Sequence, residues 1–171
     1  MSFLDRLRPG ARERAPEVAS AAGERLLAWS RTNGGEHPDD VVAGTRDALH
    51  LPGAHRVPWE RVETADWDEE SSTLHVVEVG AGRAEHRVVL GEAGLLLSLV
   101  RERVTASIVL QRHVAVRGRR GFFVIARRPP AGERTVSWTL RHDAGVDPDD
   151  PEVRRAAADA LDRARGDIGA D

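Results

Sequence analysis

Between Glu24 and Leu90 every apolar segment is short and a turn signal follows it. Arg25-Leu26-Leu27-Ala28-Trp29-Ser30 precedes Asn33-Gly34-Gly35, and Val41-Val42-Ala43 and Asp47-Ala48-Leu49-His50-Leu51 flank Gly44-Thr45-Arg46. Pro52-Gly53 turns the chain into Arg56-Val57-Pro58-Trp59 and Arg61 to Trp67, an edge-type strand kinked at Pro58. The polar Asp68-Glu69-Glu70-Ser71 leads to Leu74 to Val79, and Gly80-Ala81-Gly82 leads to Glu85 to Leu90. Segments this short cannot hold helices of useful length. Six or seven strands at such regular spacing predict a small antiparallel barrel or sandwich.

After Gly91 the period changes. Leu95, Leu96, Leu99, Val100 and Val104 fall on one helical face, with Arg101 and Glu102 opposite. The pattern predicts a helix over about 92–103. Ile108 continues the same row and would carry the helix to about 111, whereas the β-branched Val104-Thr105 and Ile108-Val109 favour a strand over 105–116. Gly118-Arg119-Arg120-Gly121 signals a hairpin into the apolar strand Phe122 to Ala126, which Pro129-Pro130-Ala131-Gly132 ends. Thr135 to Arg141 alternates, with Val136, Trp138 and Leu140 facing inward. Asp150 is a good N-cap, Pro151 suits the first helical position, and Val153, Ala156, Ala157, Ala160 and Leu161 form an apolar stripe to about Arg165. Residues 1–20, poor in large apolar side chains after Leu7, read as a mobile leader, and 167–171 as a tail. The expected fold class is mostly β (α+β). Trp29, Trp59, Trp67 and Trp138 are expected to anchor cores or line an interface.

The segment Arg56-Val57-Pro58-Trp59-Glu60-Arg61-Val62 through Trp67-Asp68, then Leu74 to Val79, Val88-Val89-Leu90 and the following helix, resembles bacterial, actinobacterial members of the pleckstrin-homology-like superfamily. The resemblance spans about residues 24–103 and implies a small antiparallel barrel closed by a helix. Residues 104–166 then form an added three-stranded antiparallel unit with a C-terminal helix, packed on the barrel. Relatives of this kind act mostly as scaffolds and binding modules. The resemblance also implies that a basic β1–β2 loop would be needed to hold lipid headgroups. Arg31-Thr32-Asn33-Gly34-Gly35-Glu36-His37 offers one arginine and one acid, which argues against that use.

Composition excludes several functions. The 171 residues include no cysteine, so disulfides, thiolate metal sites and a cysteine nucleophile are ruled out. No apolar h-region follows Met1, and Leu95-Leu96-Leu97 is broken at Ser98, so neither signal peptide nor membrane insertion is expected and the cytoplasm is the expected location. All 25 basic residues are arginine, a bias of the kind GC-rich coding produces rather than a choice of phosphate forks. Ser30, Ser71, Ser72, Ser98, Ser107 and Ser137 lie in no nucleophile motif, and Glu69-Glu70 and Asp149-Asp150 sit in turns where solvation keeps carboxylates ordinary. No phosphate-binding glycine motif is present. Seven histidines show no metal-ligand spacing, although His50 and His55 lie close in sequence and His75 and His86 fall on strands expected to pair. Asp147-Pro148-Asp149-Asp150 lacks the pattern of a calcium loop and reads as helix capping. No enzyme activity, metal or cofactor is expected.

Charge supplies the positive signal. From Arg103 to Gly132 there are seven arginines and no acid, while Trp59 to Glu85 carries eight acids and Asp143 to Asp171 nine. The expected contact surface is Arg117, Arg119 and Arg120 at the hairpin tip, with Arg112, Arg127 and Arg128 at the other end of the same strands. The expected function is a non-catalytic binding or scaffold protein that meets an acidic protein partner there. The alternative is an RNA- or DNA-associated protein that neutralises phosphates with those arginines and stacks Phe122 and Phe123 on bases.

Overall fold

A computed structural model describes residues 23–34, 37, 40–80, 82–130 and 135–169. The expected leader over 1–20 lies outside the described residues, as do the last two residues of the expected tail. Among the described residues the architecture is mostly β, with antiparallel sheets and two helices.

Strands β1 (Leu26–Arg31), β2 (Val41–Thr45), β3 (Ala48–Leu51) and β4 (His55–Pro58) form a four-stranded antiparallel meander. Pro58 does not kink a continuous strand. It opens a 3₁₀ turn, Trp59–Arg61, that carries the chain from the first sheet to the second. Trp59 is fully buried there, and its indole N–H donates to the Thr45 carbonyl at 3.1 Å. A buried indole needs such an acceptor, so this one bond fixes the crossing point. Strands β5 (Val62–Asp68), β6 (Thr73–Glu78) and β7 (Glu85–Val89) form the second sheet. Among the described residues no sheet closes on itself, so the expected closed barrel is not seen. One antiparallel bridge, Thr32 with Leu90, ties the end of β1 to the end of β7, reinforced by Asn33 N to Val89 O at 2.8 Å and Gly91 N to Arg31 O at 3.0 Å.

Helix α1 spans Gly94–Ser107 and passes directly into β8 at Ile108. It ends four residues later than the expected 103, and the strand expected from 105 starts at 108. Local β preference at Val104-Thr105 is overruled because Val104 packs on the first core and Ser107 is buried. The inward face is also rotated from the expected one. Ala93, Leu96 and Val100 are buried among Leu49, Trp59, Leu74 and Leu90, whereas Leu95 is 83% exposed.

The third sheet orders β10 (Ser137–His142), β9 (Arg120–Arg127) and β8 (Ile108–Arg117). Gly118 takes the positive φ of the hairpin turn at 61°. Gly121 serves a different need. A Cβ there would lie 1.8 Å from the Val114 carbonyl oxygen, beside the bulge between Ala115 and Arg117. Helix α2 spans Pro151–Ile168, three residues beyond the expected end at Arg165. The Asp150 carboxylate accepts from Glu152 N at 2.8 Å and Pro151 occupies the first turn, as the capping signals predict. The small side chains Ala157, Ala160 and Ala164 let α2 lie close on Phe122, Val124, Trp138 and Leu140, which makes a second core.

Candidate functional site

Alternation along β9 sends its even-numbered residues under α2 and its odd-numbered residues to the other face. That alone separates the two phenylalanines. Phe122 is fully buried in the second core and cannot stack on a base, contrary to the expectation. Phe123 lies half-buried on the opposite face.

The six arginines of the expected surface separate in the same way. Arg127 is not a surface residue. It is 3% exposed, and its guanidinium donates to Ser107 Oγ at 2.8 Å and to the Glu63 carbonyl at 3.0 Å. Burial lowers its pKa from the ordinary value, opposed by the Glu63 carboxylate. It clasps β9 to α1 and β5, joining the two cores. Arg112 pairs with Asp167 of α2 at 3.0 Å, and Arg117 pairs with Asp150 at 2.6 Å and lies 3.8 Å from Glu152. Acids of the C-terminal helix and its cap therefore neutralise two of the segment's seven arginines. Arg119, Arg120 and Arg128 remain exposed and form no ion pair among the described residues. Arg120 borders a groove of about 290 Å³ with Val116, Val146 and Val153, and with the acids Asp147 and Asp150 at the start of α2.

Register places His113, Phe123 and Arg141 side by side across β8, β9 and β10. The His113 ring lies 4.7 Å from that of Phe123, and the Arg141 guanidinium lies over Phe123 at 4.8 Å. Asp143 accepts from His113 Nε2 and from Gly121 N, both at 2.8 Å, and these bonds hold its carboxyl below the usual aspartate range. This row lies beside the hairpin tip on the face that α2 leaves open. The period-2 pattern could have located it had the strand pairing been known.

Two further polar clusters were not legible from motif spacing. Glu24 accepts from the Thr45 hydroxyl, from Arg56 Nε at 2.7 Å and from His50 Nε2 at 3.3 Å. Burial raises its pKa, but those bonds outweigh it and leave the carboxyl below the usual range. Glu78 receives His55 Nε2 at 2.6 Å and His86 Nε2 at 2.8 Å on the same oxygen. Burial again opposes, and the two imidazoles prevail. The strands of His75 and His86 pair as expected, with His86 opposite Val76, and His75 meets Glu85 at 3.2 Å.

The serine hydroxyls serve local structure. Ser30, Ser98, Ser107 and Ser137 bond backbone carbonyls, and Ser71 bonds Asp68 within its turn. None of the hydrogen bonds among the described residues joins a serine to a histidine. No helix of the described residues is long and apolar enough to cross a membrane. No family model, curated protein or solved structure matches the chain.

Proposed function

We propose that this chain is a non-catalytic binding module of the cytoplasm that takes an acidic protein segment on the arginine hairpin. The observation that carries the reading is Arg119 at the tip of β8–β9, exposed and without an ion pair among the described residues, beside Arg117, which α2 already pairs, and Arg120, which borders a groove that Asp147 and Asp150 also line. An acidic partner supplies the carboxylate that no described residue pairs with Arg119. Arg112 and Arg117 then support the surface from within their ion pairs rather than contacting the partner first.

The pleckstrin-homology-like reading of the first unit belongs to the same proposal. A four-stranded meander, a three-stranded meander and then α1, with β1 bridged to β7, support it. The contact surface would then lie on the added third sheet rather than on the β1–β2 loop.

The test is affinity capture from the native host with nuclease present, followed by cross-linking. The expected result is a defined protein cross-linked around the 117–123 hairpin and lost from the double variant Arg119→Glu with Arg120→Glu. Capture that ignores the double variant would remove the hairpin from the proposal. One observation favours nucleic acid as the second reading: half-buried Phe123 between His113 and Arg141 has the composition of a stacking platform. On that reading the captured proteins vanish with nuclease, and binding of single strands weakens steeply with salt.

A further inference from the structure

We propose that His55, Glu78 and His86 form a binding site for one divalent first-row transition ion, with zinc as the type case. The three side chains come from β4, β6 and β7, so two sheets converge on the site. Their ligand atoms all lie within 4.8 Å of one another. Two imidazoles and one carboxylate are the donor set of three-ligand zinc sites that keep a fourth position open, and copper, nickel and cobalt accept the same donors.

The two histidine–carboxylate gaps need little change, while the imidazole nitrogens, within 4.8 Å of each other, close by up to about 1.5 Å. Both Nε2 atoms already point at one carboxylate oxygen, at 2.6 and 2.8 Å. Tetrahedral bonds of about 2.0–2.1 Å put ligand atoms roughly 3.3 Å apart, so each gap opens by roughly 0.5–0.7 Å. The rings lie 4.7 Å apart and are tilted by 35°. Glu78 has only 12% of its side chain exposed and is held in place, while His55, at 46%, is free to adjust. On binding, each ring turns its Nε2 lone pair to the ion and keeps its proton on Nδ1, and the ion takes the place of the two ring-to-carboxylate hydrogen bonds.

The other histidine–carboxylate contacts lack this convergence. His75 with Glu85 and His113 with Asp143 each offer two ligands, and the carboxylate that faces His50 is already engaged by Arg56. An ion at Glu78 would pin β4 of the first sheet to β6 and β7 of the second, a function separate from the hairpin and independent of its partner.

The test uses the full chain without a histidine tag. Zinc is titrated calorimetrically while the imidazole nitrogens are followed by NMR, and cobalt supplies an optical readout of coordination. The expected result is one ion per chain, with coordination shifts confined to two of the seven histidines. His55→Ala or His86→Ala should weaken binding by more than the roughly 10–100-fold that a merely supporting residue costs. Glu78→Gln should also weaken it, and His113→Ala should not. Absence of saturable binding overturns the proposal, as does binding that survives His55→Ala with His86→Ala. Shifts spread over His75, His113 and His142 in the wild-type chain also overturn it, whether or not any variant folds.

Discussion

Arg127 carries a charge in a place where water does not reach it. An isolated buried charge is costly, so the guanidinium is tolerated only because Ser107 Oγ and the Glu63 carbonyl accept from it and the Glu63 carboxylate lies nearby. Replacement by methionine keeps the length and removes the donors, leaving those acceptors buried and unpaired. Arg127→Met should therefore cost about 3 kcal/mol, read from the midpoint of urea unfolding. A loss below about 1 kcal/mol would mean that the clasp contributes packing alone. In sequence, Arg127 is indistinguishable from Arg128. The strand period gives them opposite faces, but which face is covered depends on α1 and β5, far away along the chain.

Among the elements, the β8–β9 hairpin shows how one signal can hold two meanings. Gly118 and Gly121 both read as turn residues, yet only Gly118 needs a positive φ. Gly121 is required because the backbone of Val114 and Ala115 occupies the space of a side chain. Gly121→Ala forces backbone apart and should cost at least about 3 kcal/mol, against about 1 kcal/mol for Gly118→Ala. Equal losses on thermal or urea unfolding would show that the bulge adapts freely. The helices divide along the same line. Helix α2 was legible because its start is local chemistry, an Asp150 cap and Pro151. Helix α1 ran past its expected end because Ser107 is held by tertiary burial that no cap residue announces.

For the molecule as a whole, carboxylates bonded to histidine, arginine and backbone N–H set the acid limit. Glu24 and Asp143 both sit below their ordinary values of 4.5 and 3.8. As pH falls the unfolded chain takes up these protons first, so their contribution is complete above the ordinary values and is lost as pH drops through the folded ones. The urea midpoint should stay level from neutral pH to about 5 and then decline. Glu24→Gln should be less stable at neutral pH and should decline less steeply in acid. An unchanged slope in that variant would remove Glu24 from the account. Local pattern by itself determined the mostly β class, the strands to within a few residues, the hairpin and the capped C-terminal helix, because turns, caps and alternation are short-range chemistry. Tertiary structure decided which arginines stay free, which phenylalanine faces outward and which histidines meet. Those outcomes depend on pairing between segments tens of residues apart: His55 and His86 share a carboxylate only because β4, β6 and β7 converge.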